Sequence, residues 1–131
     1  MLGEQHGEVL FTVEDNIIIA KAIGSFNEEG AYDYTNGFKD RIDQLGSQPF
    51  AILVDNLLME GATPEAFKVL EAYNQWLNDK PLVAKAFVVK SRVTTSIVTA
   101  HSPSINQQTV ENFSTKEDAL QWLRTKLANS L

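Results

Sequence analysis

Phe50-Ala51-Ile52-Leu53-Val54 is the stretch that decides the fold, because its five apolar residues end abruptly at the polar pair Asp55-Asn56. A short run that is apolar on both faces is typical of a strand buried in a parallel sheet. Thr63-Pro64-Glu65 then combines a hydroxyl cap, a proline in the first turn and an acid near the positive end of the helix dipole. The sequence therefore predicts a buried strand over 50–54, a connection over 55–62 and a helix from residue 64.

The residues before this unit predict a hairpin and a first helix. Apolar residues recur at every second position over 9–13, Asp15-Asn16 interrupt them, and β-branched residues resume over 17–23. Asn27 can cap a helix whose apolar residues recur at helical spacing, and Gly46 ends it. We expect an antiparallel hairpin followed by a helix.

The second half of the chain continues this alternation. Residues 84–89 predict a fourth strand, 107–113 a fifth, and the capping box over 114–117 a last helix. Ser91 can cap a short helix over 91–100, although β-branched residues disfavour it and a loop is the competing interpretation. The predicted architecture is one α/β domain over 1–131, with a mixed, mostly parallel five-stranded sheet in the order β-β-α-β-α-β-α-β-α.

Composition and charge limit the class of protein. Of the 131 residues, 44% are hydrophobic and 21% are charged, which favours a soluble globule without stable membrane insertion. The chain does not open with a signal-like segment, so a cytoplasmic location is expected. A net charge of −6 argues against nucleic-acid binding, and the lack of cysteine excludes thiolate metal sites and cysteine nucleophiles.

The end of the chain carries a family resemblance. Residues 110–123 read VENFSTKEDALQWL, a strand that ends in phenylalanine, then a polar cap and an acid-Ala-x-x-Trp-Leu helix. With the element order, this ending resembles the SpoIIAA-like branch of the STAS superfamily, whose members are relatives of anti-sigma-factor antagonists. The resemblance spans essentially the whole chain. It implies a STAS-like fold, a non-enzymatic regulatory or protein-interaction role and, in some relatives, binding of a lipid-like ligand.

The sequence departs from the best-known antagonists of that family in one loop. Theirs carries an Asp-Ser-Ser-Gly-type motif whose serine is phosphorylated by a partner kinase. Here residues 55–64 read DNLLMEGATP, and only Thr63 supplies a hydroxyl near the equivalent helix start. A phosphate would be favourable beside a helix N-terminus, but a plain N-cap explains the same residue. Thr63 is therefore expected to be a cap rather than a phosphoswitch.

Three apolar residues in this loop form the most informative anomaly. Leu57, Leu58 and Met59 follow the carboxyl end of a central strand, where open α/β sheets usually place ligands. Three interpretations are open: the side chains cap the core, line an apolar ligand pocket, or form an exposed docking patch. The pocket interpretation adds three further apolar residues, namely Phe67, Val93 and Ile97.

A second group of candidate residues lies between the fourth and fifth predicted strands. The hydroxyl-rich stretch with Lys90 and Arg92 can hold an anion, although a solvated helix end is the simpler interpretation. His101 beside Ser102 suggests a histidine base with a serine nucleophile, but the spacing identifies neither an orienting acid nor oxyanion donors. We therefore predict no catalytic residue, metal site or cofactor.

Coverage of the sheet leads to a prediction about assembly. Sequential parallel strands joined by right-handed crossovers are expected to place the helices on one face of the sheet. The strand residues 17–19, 52–54 and 86–88 are apolar on both sides, so the other face needs the first strand, a helix or another subunit. A homodimer is the predicted solution.

Taken together, these features predict a non-enzymatic regulatory or protein-interaction domain of the STAS-like type. The alternative is a carrier or sensor of a small apolar or lipid-like ligand, bound in a cleft at the carboxyl ends of the third and fourth strands. An enzyme centred on His101 comes third. The expected partner is a protein or a small apolar molecule.

Overall fold

A computed structural model of the protein describes residues 6–90 and 102–130. The described strands are β1 (Glu8–Glu14), β2 (Ile17–Phe26), β3 (Phe50–Ala62), β4 (Leu82–Val88) and β5 (Val110–Phe113). The described helices are α1 (Glu28–Leu45), α2 (Pro64–Leu77) and α3 (Lys116–Asn129), and a 3₁₀ helix spans Pro103–Gln107.

The strands form one mixed sheet in the order β1-β2-β3-β4-β5. β1 and β2 are an antiparallel hairpin, and the two residues of its turn, Asp15 and Asn16, have φ values of 51° and 65°. Two positive φ values give the turn a twist that matches its strands, and Asp and Asn tolerate this conformation. The other neighbouring strands are parallel. The predicted α/β fold with a mostly parallel five-stranded sheet is therefore confirmed.

The third strand is much longer than the sequence suggests. We predicted its end at Asp55-Asn56, but β3 continues to Ala62. Its second half pairs with the end of β2, where Ile23 lies opposite Leu58. The register shifts twice on the way, and at each shift β3 contains one residue more than β2. The predicted connection over 55–62 is wrong, because pairing with a long neighbouring strand outweighs the local preference of polar residues for a turn.

Helices α1 and α2 cover one face of the sheet, as the crossover rule requires. Asn27 Oδ1 accepts a hydrogen bond from the Gly30 N–H at 3.0 Å, and Thr63 Oγ1 accepts one from the Ala66 N–H at 3.2 Å. Both predicted helix caps are thus confirmed. The core on this face contains large side chains from both helices and three strands, including Phe38, Ile42, Tyr73, Leu77, Ile18, Ile52 and Phe87.

Helix α3 covers the opposite face. Ala119 and Leu123 are fully buried there and pack with Ile19, Leu53 and Ala86 of the sheet. The expectation that the helices share one face is therefore wrong for α3, because no strand follows it and the crossover rule does not constrain it. A helix, one of the three covers considered, occupies the face for which a second subunit was predicted. The homodimer stays a prediction, but an uncovered sheet face no longer supports it.

The segment before β5 also differs from the expectation. The fifth strand was predicted over 107–113, but β5 begins at Val110 because the 3₁₀ helix Pro103–Gln107 takes up the preceding residues. The helix predicted over 91–100 lies outside the described residues. Within residues 6–90 and 102–130, no helix is both long and apolar enough to span a membrane.

Replacement of Leu123 tests how strongly α3 is anchored. Leu123→Ala removes a fully buried side chain from the α3 face of the sheet, so the free energy of unfolding is expected to fall by about 2–5 kcal/mol. Urea unfolding measures the change. Gln121→Ala, on the exposed side of the same helix, is the control and should stay within about 0.5 kcal/mol of the parent protein. Equal stabilities of the two variants would contradict this packing.

Candidate functional site

The extra residues of β3 decide where its apolar side chains point. Leu53 faces α3, whereas its neighbour Val54 faces α1 and α2. Asp55 Oδ1 then accepts a hydrogen bond from the Leu57 N–H at 3.0 Å, at the first register shift. Leu57 packs on the α3 side, but Met59, two residues further along, packs on the α1 and α2 side. The bulge thus turns Met59 towards these two helices.

A cleft opens between the sheet and helices α1 and α2. Its cavity volume is about 50 Å³, and the cleft is partly open to solvent. Small side chains leave this room, because Ala22 of β2, Ala31 of α1 and Ala62 of β3 all line it. Larger apolar side chains complete the walls, among them Phe26, Met59, Leu70, Phe87 and Ile105. Most of the surface that a ligand would meet is therefore hydrocarbon.

Lys85 brings a titratable amine into this cleft. It lies between Ala84 and Ala86 in β4, and only 2% of its surface is exposed. Its Nζ donates a hydrogen bond to Asn74 Oδ1 at 3.1 Å and lies 5.5 Å from the centre of the Tyr73 ring. Burial lowers the pKa of Lys85 from 10.5 to about 7, because the ammonium loses its hydration. Near neutral pH the side chain therefore exists both as ammonium and as neutral amine.

Asn74 connects Lys85 to the segment that contains the 3₁₀ helix. It is 4% exposed, and its Oδ1 also accepts a hydrogen bond from Gln108 Nε2 at 3.2 Å. Its Nδ2 donates to Ser102 Oγ at 2.8 Å. Gln108 Nε2 further donates to Asn78 Oδ1 at 3.0 Å, so two residues of the α2 region hold this segment.

Glu71 of α2 completes the attachment. Its carboxylate accepts hydrogen bonds from the Ser104 N–H at 3.0 Å, from the Ser104 hydroxyl, from Ser102 Oγ at 3.3 Å and from Gln75 Nε2 at 2.7 Å. Partial burial raises the pKa of Glu71, but these hydrogen bonds to the charged form outweigh it and lower the pKa overall. The carboxylate therefore serves the 3₁₀ helix. No carboxylate of the described residues forms an ion pair with Lys85.

Two tyrosines line the cleft beside Lys85. Tyr34 of α1 and Tyr73 of α2 meet edge to face, with ring centres 6.3 Å apart. Burial raises the pKa of both phenols, so both remain protonated at neutral pH. Tyr73 is 2% exposed, and within the described part of the chain its hydroxyl has no hydrogen-bond partner. The cleft thus contains an unpaired hydrogen-bond donor besides the amine.

The three apolar residues predicted from the loop separate in the structure. Leu57 packs against the core on the α3 side, Leu58 is 48% exposed, and Met59 lines the cleft. The three residues therefore have three different environments, and no single interpretation applies to all of them. The sequence could not distinguish them, because the bulge that separates their directions depends on pairing with β2.

Thr63 and Phe67, the two other predicted site residues that the structure describes, do not line the cleft. Thr63 caps α2, and Phe67 is a partly buried residue of α2 that does not belong to the cleft lining. Four candidates lie outside the described residues: Arg92, Val93, Ile97 and His101.

The residues that give the cleft its polar chemistry were not selected from the sequence. Lys85 carries a usable signal, since it is a charged residue inside the otherwise apolar run AKAFVV over 84–89. A strand buried on both faces leaves no solvated position for such a residue. Asn74 lacks a comparable signal, because one polar residue in an amphipathic helix is normally solvent-facing.

Comparison with known proteins adds a fold relationship. No family model matches the chain, and no curated protein matches it in sequence. An uncharacterized protein with a SpoIIAA-like fold from Shewanella loihica superposes with a TM-score of 0.69 at 16% identity, covering 94% of this chain and 98% of the other.

Two anti-sigma factor antagonists have similar structures. The one from Mycobacterium paratuberculosis has a TM-score of 0.64 and 17% identity, covering 90% of this chain and 94% of its own. SpoIIAA in its unphosphorylated form has a TM-score of 0.64 and 9% identity, covering 89% and 98%. At these identities the likeness concerns the fold. The chain has a SpoIIAA-like fold, as the resemblance at its C-terminal end implied.

Proposed function

We propose that the protein is a non-enzymatic regulatory domain that binds a small apolar molecule in the cleft between the sheet and helices α1 and α2. The observation that carries this proposal is the cleft itself. Its walls are mainly hydrocarbon, and a few polar groups lie among them, as is usual for sites that bind small molecules. Its walls include the carboxyl-end residues of β2 and β3, the edge at which open α/β sheets hold ligands.

The regulatory part of the proposal draws on the fold. Two of the similar structures are named anti-sigma factor antagonists, which gives a functional precedent for a regulatory role of this architecture. A bound apolar molecule would contact α1, α2 and β3 together. Ligand binding could thereby change the surface that these elements present, which is how a small-molecule sensor acts.

Docking of a protein partner is the second candidate function. Leu58 supports it, because 48% of this leucine is exposed beside the cleft-lining Met59. The names of the two antagonists also support it, since each name denotes action on another protein.

A homodimer and a cytoplasmic location remain predictions of the sequence. Light scattering from micromolar to millimolar concentration tests the dimer.

Blocking the cleft tests the small-molecule proposal. Ala62 is partly exposed and lines the cleft, so Ala62→Phe is expected to fill space that a ligand needs. Binding of 1-octanol, a neutral apolar probe, should weaken about tenfold or more in isothermal titration calorimetry. Ala128→Phe on the exposed side of α3 is the control and should bind 1-octanol like the parent protein. Absence of 1-octanol binding to the parent protein, or equal binding by the Ala62 variant, would contradict the proposal.

Replacement of Leu58 tests the docking candidate separately. Leu58→Glu places a charge on an exposed apolar residue, so a partner recovered stoichiometrically from native lysate should be lost. Binding of 1-octanol should not change, because Leu58 does not line the cleft. Leu10→Glu alters another leucine of similar exposure, 52%, and serves as the control. Retention of the same partner by the Leu58 variant would exclude this residue from docking.

A further inference from the structure

Lys85 is the feature of the cleft that an apolar ligand alone does not explain. Its side chain is 2% exposed, yet the hydrogen-bond acceptor for its Nζ is the neutral amide of Asn74. The Tyr73 ring 5.5 Å away adds a weak cation–π attraction. A buried ammonium normally has a carboxylate partner, because its lost hydration must be replaced. In the described part of the chain that partner is missing.

The charged and titratable groups around Lys85 do not supply a counter-charge. Tyr34 faces the cleft from α1 and Tyr73 from α2, and both are neutral phenols at neutral pH. Glu71 of α2 belongs to the same network but directs its carboxylate at Ser104 and its neighbours. β2, β3 and the 3₁₀ helix contribute apolar residues and the amide Asn56 to the lining. The lowered pKa of Lys85 agrees with this lack of a paired anion.

The Tyr73 hydroxyl is a second, independent observation. It is buried and lacks a hydrogen-bond partner among the described residues, and Tyr73 lines the same cleft as Lys85. A buried unpaired hydroxyl is costly, and such groups in native proteins usually require an explanation by an unseen partner. An acceptor on a ligand would satisfy it.

From these contacts we infer that the ligand is an apolar molecule with one carboxylate, which accepts hydrogen bonds from the Lys85 ammonium and the Tyr73 hydroxyl. The hydrocarbon part lies against the apolar walls of the cleft. This inference rests on the proposed binding function and specifies the head group. A single negative charge matches a single cation, whereas a dianionic phosphate would leave an uncompensated buried charge. A neutral head group would supply no counter-charge to the ammonium form of Lys85.

Binding of a carboxylate beside Lys85 should be coupled to the uptake of a proton. At pH 8 most Lys85 side chains of the free protein are neutral amines, since their pKa is about 7. An ionised carboxylate stabilises the ammonium form and raises the pKa of Lys85. Binding therefore takes one proton from the buffer to the Lys85 amine, and no covalent bond forms or breaks.

Comparison of octanoate with 1-octanol on the unaltered protein is the direct experiment. The two probes share a chain length and differ in the head group. Calorimetry at pH 8 in two buffers of different ionisation enthalpy should show uptake of about one proton per octanoate and none for 1-octanol. The dissociation constant of octanoate should be lower than that of 1-octanol by about tenfold or more.

Three variants locate the interaction. Lys85→Met keeps an unbranched side chain, one atom shorter than lysine, without its charge. Octanoate affinity should fall about tenfold or more, while 1-octanol affinity stays within about twofold. Tyr73→Phe should weaken octanoate binding by about threefold or more, because the hydroxyl donor is lost. Lys68→Met removes an exposed lysine of α2 outside the cleft and should change neither affinity.

The outcomes separate this inference from the function on which it rests. If neither probe binds, the proposed cleft function and the head-group assignment both fail. If both probes bind with equal affinity, or Lys85→Met retains full octanoate affinity, the cleft binds apolar molecules but the carboxylate assignment is wrong. Should the Lys85→Met substitution impair folding, the proton uptake and the octanoate-to-octanol ratio of the unaltered protein still decide the question.

Discussion

Coverage of the central strands on both faces is the constraint on which the rest of the structure depends. α1 and α2 pack on one face and α3 on the other, so β2, β4 and the first part of β3 are largely buried. Strands in this position consist of nearly continuous apolar runs. A charged residue inside such a strand must find its partners within the protein. Lys85 does so through Asn74 of α2, which also ties the 3₁₀ helix to the same network.

The cleft follows from two departures from regular packing. The first bulge of β3 turns Met59 towards α1 and α2, and pairing with β2 extends β3 beyond the polar pair that follows Val54. Alanines on β2, α1 and β3 then meet where larger side chains would close the gap. The result is an apolar cleft whose inner part contains an amine and a phenol. This arrangement suits binding of an amphiphilic molecule.

Much of the fold could be predicted from local signals in the sequence. The Asp15-Asn16 turn, the caps at Asn27 and Thr63 and the run from Phe50 each act through nearby residues, and the structure confirms them. The second half of β3 could not be predicted, because its pairing with β2 joins residues about thirty-five positions apart, as in the pair Ile23 and Leu58. The position of α3 depends likewise on which face α1 and α2 leave open.

Of the candidate site, one residue of the cleft lining was selected from the sequence, but none of its polar groups was. Met59 was expected near the carboxyl end of β3 and does line the cleft, whereas Lys85 was not selected within its apolar strand.

The pH dependence of stability tests the central claim that Lys85 is a buried amine without an anionic partner. Between about pH 7.5 and 9.5 the unfolded chain holds a proton that the folded protein has lost, so stability rises with pH. Urea unfolding of the unaltered protein and of Lys85→Met should show their difference changing by roughly 2 kcal/mol in favour of the unaltered protein across this range. A difference that stays constant with pH would contradict the account.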